Sequence, residues 1–424
     1  MTESAILLTA AFLLIAPLAF AGLALLNAGL GRSRSAAQAL LGNLAMLAVA
    51  VVGFALIGAS LAGIPLSAGQ GIAIHAAGKS WPICGTASFA LSWLGSASPA
   101  AQLGCLFEFL AVAFIGVLPW GSGADRLRLE AGCAIAALFG ILLFPLMANW
   151  AWGGGWLQAL GSSFGLGAGF LDVGGAASIH LLGGVAALAV VWVTGARHGK
   201  FPKEGFATAL PGHNAVYILF GSLIAMIGWM AFNMAGGLLW RHLPPSALPV
   251  VAINTILTAS AALIAAYIVT RTRFGKPDAS LCANGWLTGL VTSSASAAIL
   301  NPGEAIFAGA VAGILTPLLV EVIELALSID DPSGAVTVHA VGALWGLLVS
   351  GIFAPQPGQF VAQLVGISTL LGFFLPGIYG LFLLLNLVVP FRVDPDGERL
   401  GMDLHELGGG AYPEFVLHRD DSYR

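Results

Sequence analysis

The apolar residues of this chain fall into eleven long stretches, and no other feature narrows its possible folds so far. They run approximately over 5–30, 37–62, 101–120, 129–150, 174–195, 213–238, 247–271, 279–300, 304–328, 335–355 and 361–390. A helix needs about 20 such residues to cross a bilayer core. In lipid its backbone groups must also be satisfied within the span. Each stretch therefore reads as a transmembrane helix, the last long enough to tilt or project. The chain is 58% hydrophobic and 8% charged, against about a quarter charged in a soluble domain, so its solvent is the bilayer. Its 57 glycines suit closely packed membrane helices. The net charge of −4 says nothing about nucleic acid, but no basic run or base-stacking module appears, and no nucleic-acid partner is expected.

Cationic residues set the expected sidedness. Fourteen of the 16 Lys and Arg lie in one set of loops and the tail: Arg32, Arg34, Arg126, Arg128, Arg197, Lys200, Lys203, Arg271, Arg273, Lys276, Arg392, Arg399, Arg419 and Arg424. The opposite loops hold Lys79 and Arg241. This predicts an outside N-terminus and a cytoplasmic tail in a cell inner membrane. No basic segment precedes the first span, so it reads as a span and not as a cleaved signal. Cys84 and Cys105 flank an outside loop. They are either a pair formed in an oxidising compartment or unpaired small hydrophobes, as Cys133 and Cys282 are within their spans.

A nine-residue pattern occurs twice. Asp172-Val-Gly-Gly-Ala-Ala-Ser-Ile-His180 opens the fifth span, and Asp331-Pro-Ser-Gly-Ala-Val-Thr-Val-His339 opens the tenth. The loop assignment puts Asp172 outside and Asp331 inside, so the two copies enter the membrane from opposite faces. That is an inverted-topology repeat, an arrangement of transporters. The expected fold is all-α and integral to the membrane, with five-plus-five inverted helices and one extra C-terminal helix. The transmembrane domain covers 1–390, with halves of about 1–200 and 201–358 and a final helix of about 361–390. Residues 391–424 form a polar tail. Eight residues at 1.5 Å put each histidine about 12 Å past its aspartate, so both approach the midplane and can meet. Asp172 and Asp331 stand where helix N-caps belong, and Pro332 stands at a first helical position.

Ionisable residues inside membrane segments mark functional sites. Neutral imidazole both donates and accepts a hydrogen bond, and an apolar lumen disfavours its charged form. Two such rings can share a proton and offer a narrow polar contact to a small neutral species such as ammonia, or relay a proton. The competing reading is two unrelated packing histidines. A metal needs three or four ligands; no other His, Cys or carboxylate has an evident route to this pair, and no metal or other cofactor is expected.

At these residues the chain resembles the ammonium transporter (Amt/Mep/Rh) family, over nearly its whole length. Ala21-Gly-Leu-Ala-Leu-Leu-Asn-Ala-Gly-Leu-Gly-Arg-Ser is similar to the first-helix signature. Gly121-Ser-Gly-Ala-Asp-Arg126 follows the third helix, and Trp152-Gly-Gly-Gly155 closes the fourth. Gly228-Trp-Met-Ala-Phe-Asn233 marks the sixth, and Asp330-Asp-Pro332 through His339 to Gly342 the tenth. The resemblance implies a homotrimer with one pore per subunit. It further implies that ammonium is recruited in an outer vestibule and deprotonated, and that ammonia passes His180 and His339. Trp152 matches the vestibule tryptophan, Phe232 a gating phenylalanine, Trp229 the tryptophan beside the histidines, and Asp172 the carboxylate supporting recruitment.

The outer filter departs from the family. The outer gating phenylalanine falls at Ala111, with Phe107 and Phe109 close by as substitutes. Glu108 follows Phe107 where glutamine is common, and the vestibule serine falls at Gly236. The expectation is an entrance lacking a hydroxyl and a ring, wider, and open to methylammonium. In the tail, Asp403, Glu406 and Tyr412 resemble family residues that pack under the trimer and help a PII-type regulatory protein block the pore, with Leu407 replacing a histidine. The alternative for this Gly-rich tail is disorder. A non-transporting ammonium sensor on the same fold is the second functional reading. A membrane enzyme is the third, and it lacks a nucleophile, a third metal ligand or a cofactor motif.

Overall fold

The computed structural model describes residues 1–63, 71–204 and 206–412. Its frame is α1 (Glu3–Leu30), α2 (Ser33–Ala62), α3 (Pro99–Ser122), α4 (Leu129–Ala151), α5 (Ala176–Thr194), α6 (Ala215–Trp240), α7 (Pro245–Phe274), α8 (Ala279–Ser296), α9 (Pro302–Ala326), α10 (Val336–Phe353) and α11 (Gln359–Val388). Every expected span has its helix, and all but α8 are long and apolar enough to cross a membrane. Ser and Thr dilute the apolarity of α8. It can carry them because it is enclosed by α6, α7, α9 and α10. Its hydroxyls find partners there: Ser293 accepts from Asn233 at 3.0 Å, Ser294 accepts from Trp229 at 2.7 Å, and Thr292 donates to the Gly342 carbonyl at 3.2 Å. The long α11 is the least buried of the candidate spans within the chain and contains a wide π-turn at Leu370–Phe374.

A β-hairpin that the apolar pattern does not announce sits between α2 and α3. Strands β1 (Ile72–Ala76) and β2 (Lys79–Cys84) pair antiparallel through Ala77 and Gly78. Both turn residues have positive φ, 53° and 69°, the geometry that matches strand twist in a two-residue loop. Cys84 and Cys105 remain unpaired, as do Cys133 and Cys282.

The two repeat copies build the same device. Glycines at positive φ, Gly175 (79°) and Gly334 (68°), stop the chain just before α5 and α10. Each helix then opens with a π-wound turn, Ala176–Leu181 and Val336–Val341, which contains its histidine. Asp172 lies three residues before the N-cap position of α5 and reaches forward to it. Pro332 does not begin α10, contrary to expectation. It lies in a turn, because Gly334 breaks the chain between it and the helix. α5 and α10 pass so closely at Gly184 that a Cβ there would lie 2.8 Å from the Ala340 Cα.

The tail is docked as far as it is described. Phe391 and Val393 exchange backbone hydrogen bonds with Arg128 and Arg126, both 2.9 Å. Asp403 accepts from the Ala37 and Gln38 amides (3.2 and 2.8 Å), capping α2 after its first turn. Glu406 accepts from the Leu129 amide, the first of α4, at 3.0 Å and from Gln38 Nε2 at 2.9 Å. Carboxylates at helix N-termini suit the dipole and the unpaired N–H groups. Tyr412 Oη lies 3.1 Å from His213 Nε2. Arg419 and Arg424 lie outside the described residues.

Candidate functional site

The π-turns of α5 and α10 bring His180 and His339 face to face, with ring centroids 5.2 Å apart and planes at 20°. Trp229 of α6 stacks on His180 at 4.7 Å and 14°. It is anchored there by its bond to Ser294. Phe114 of α3, which the sequence reading did not single out, closes the group edge-on, 5.2 Å from His180 and 5.1 Å from Trp229. Both imidazoles are buried. Neither nitrogen of His180, nor Nδ1 of His339, has a hydrogen-bond partner. No bond joins the two rings among the described residues, so the directly shared proton expected from the sequence gives way to stacking. A cavity of about 10 Å³ lies on one side of His339, where apolar Leu23, Leu26, Leu118 and Leu287 share the lining with polar Asn27 and Ser333. That is at the lower bound of room for one water.

A second aromatic group lies on the face opposite the tail. Phe107 stacks on Phe232 at 4.1 Å and 29°, and meets Trp152 edge-on at 5.3 Å. Phe107, one turn before Ala111, is thus the α3 ring that stacks on Phe232, while Ala111 is buried within α3. Phe109 does not substitute; it packs on Phe54 at 5.2 Å. Gly236 has no room for the hydroxyl that it replaces, because its Cα faces the Val173 carbonyl and any Cβ would collide with it. Glu108 is 1% exposed, and its Oε1 has no partner. One residue along an α-helix turns about 100°, so its carboxylate leaves the Phe107 face and does not join the ring stack. Trp240, at the end of α6, is a second residue that sequence reasoning missed, after Phe114. Its indole lies parallel to Trp152 at 5.4 Å and 4°.

Asp172 is 4% exposed and holds the π-turn. It accepts from the Ala177 amide (3.0 Å), the Ser178 amide (2.8 Å) and the Ser178 hydroxyl (2.6 Å). Burial raises its carboxyl above the ordinary range against these bonds. Its carbonyl accepts from Trp152 Nε1 at 2.6 Å, so the same residue places the Trp152 indole. Asp331 plays the matching part for α10, accepting from the Val336 amide at 2.8 Å and the Ser122 hydroxyl at 2.7 Å. Beneath it lies a buried ion cluster. Arg197 grips Asp330 with two bonds of 2.9 Å and Asp125 with one of 3.0 Å. Arg126 donates to the Asp330 and Gly195 carbonyls at 2.8 and 2.7 Å. Burial alone would raise Asp330, but the Arg197 bonds and the Arg126 charge outweigh it and hold the carboxyl below its usual range. Burial also lowers Arg126 to about 10.

The arrangement is a buried cluster of aromatic rings around two imidazoles, with a second aromatic group toward the face opposite the tail. Among the described residues no three His, Cys, Asp or Glu gather as a metal would require. Comparison with known proteins agrees in kind. The family model described as Ammonium Transporter Family matches residues 5–412. The chain is 31% identical over 419 residues to ammonium transporter Amt2 of Archaeoglobus fulgidus, covering 93% of this chain and 85% of that one. It is 30% identical over 418 residues to ammonium transporter Amt2 of Haloferax mediterranei, covering 93% and 87%. Among solved structures, one titled Sensor Amt Protein superposes with a TM-score of 0.84 at 25% identity, over 95% of this chain and 98% of that one. Mep2 of Candida albicans gives 0.79 at 22% identity over 98% and 91%, a likeness of fold.

Proposed function

Because this chain belongs to the ammonium transporter family, we propose that it moves ammonium nitrogen across the cell inner membrane as ammonia. The observation that carries the reading is the pair of buried, facing histidines with free ring nitrogens, held at the crossing of two inverted short helices. Ammonium meets aromatic faces at the entrance, where Trp152, Phe107 and Phe232 attract a cation. Asp172 contributes by fixing Trp152 and the turn below it. Ammonium gives its proton to water at the entrance, and the neutral molecule then passes the stacked phenylalanines, which desolvation forbids to the ion. It then donates to one imidazole and accepts from the other.

The N-terminus lies outside and the tail in the cytoplasm, as the cationic loops dictate. Three copies assemble, each with its own pore. The docked tail with Asp403, Glu406 and Tyr412 forms the surface on which a PII-type protein acts. Methylammonium is a candidate second cargo, admitted now by aromatic contact and not by a missing ring. The alternative is a sensor that binds ammonium without conducting it.

Proteoliposomes carrying a trapped pH dye separate these. A transporter gives protein-dependent changes of internal pH after an ammonium step, beyond the bare-liposome response. A signal equal to that of bare liposomes, with ammonium binding retained, favours the sensor.

A further inference from the structure

Trp240 occupies the ring face that a cation needs. Its indole lies flat against Trp152, 5.4 Å away and within 4° of parallel. Phe107 meets both indoles edge-on, at 5.3 and 5.5 Å, so the two tryptophans form one closed stack. The two are held differently. Trp152 is pinned by its bond to the Asp172 carbonyl. Trp240 Nε1 is buried and has no acceptor. Trp240 is also the last residue of α6, followed by Arg241 at the C-cap and by His242 at a φ of 51°, so the backbone beyond it is loop. An unpaired buried N–H costs free energy that exposure to water returns. The covered state therefore has no polar anchor and is held by ring stacking and apolar packing, and stacking is a modest interaction.

Resting on the proposed transport reading, we propose that Trp240 is the outer gate: its indole competes with ammonium or a small alkylammonium for the face of Trp152 and swings outward to admit the cation. Cation and indole cannot share that face, so each binding event displaces the ring. The gate sets the concentration at which the entrance fills and leaves the histidine pair untouched.

The test is ammonium-dependent thermal stabilisation of the purified full chain, which reads binding without requiring transport. Potassium chloride at matched ionic strength is the control. Trp240→Ala should reach half its thermal shift at an ammonium concentration roughly two- to tenfold lower than the parent, the range that a lost aromatic stack supports. Trp240→Phe, a milder change that keeps a ring, should fall between. Both variants can lower the starting midpoint; a purely structural role moves that midpoint and leaves the half-saturating concentration where it was. An unchanged concentration overturns the gate, and a higher one makes Trp240 a wall of the binding site. Absence of any ammonium-specific shift in parent and variants also overturns it. Flux lost while the predicted thermal ordering persists would defeat the transport reading and keep the gate.

Discussion

Asp172 satisfies three donors from two buried residues, and removing it strands them. Asp172→Ala should lower stability by about 1–3 kcal/mol for each donor left unpaired, read as a drop in the thermal midpoint in detergent. An unchanged midpoint would show that water replaces the carboxylate. Glu108 presents the reverse case, a buried carboxyl with an unpartnered oxygen. Glu108→Met should hold or raise the midpoint, by up to about 1–3 kcal/mol. A fall in the midpoint, or lost flux in a fold of unchanged stability, would mean that the carboxyl has a partner or a task. The histidines were legible in the sequence because a repeat with charge-defined sidedness places them, whereas Trp229 was legible only through the family resemblance. Trp240 was not, since its contact with Trp152 joins a helix end to a loop 88 positions away, and no local pattern encodes that. Gly236 read as a lost hydroxyl because composition at one position cannot reveal the Val173 carbonyl against it.

Among the helices, α5 and α10 carry the design, and their glycines decide how near they come. Gly184→Leu inserts a side chain where even a Cβ crowds the Ala340 backbone. Overpacking of this kind costs typically about 1–3 kcal/mol, and here it should also part the histidine rings. The expected result is a folded or weakened protein whose flux falls far more than its midpoint; flux near the parent's would show that the crossing tolerates separation. The spans were readable as lengths of apolar sequence, and α8 was found despite its hydroxyls. What periodicity could not supply was the winding. The π-turns and the displaced Pro332 depend on Gly175 and Gly334 taking positive φ, and on carboxylates reaching five residues forward. The hairpin escaped notice for a similar reason: its turn is Ala77-Gly78, without the Asn-Gly or Asp-Gly pair that usually signals one.

For the whole molecule, two polar assemblies tie the helices together on the tail face: the Arg197–Asp330–Asp125 cluster and the docked tail. Asp330 has a folded pKa below the ordinary value of about 3.9. Its contribution is therefore present at neutral pH and fades as pH falls from about 4 through the depressed value. Arg197→Gln should cost about 3–5 kcal/mol at pH 7, as breaking a buried pair does, with the difference from the parent narrowing below about pH 4. A pH-independent difference would assign the loss to packing. The central claim remains the passage of nitrogen along His180 and His339. Its most direct test is the response of the reconstituted protein to an ammonium pulse on a solid-supported membrane, compared with the His180→Ala/His339→Ala variant of equal folding and amount. The account predicts a protein-dependent signal whose decay speeds with lipid-to-protein ratio, as turnover requires, and which the double substitution abolishes or alters in its cation selectivity. A signal identical in parent and double variant would contradict it.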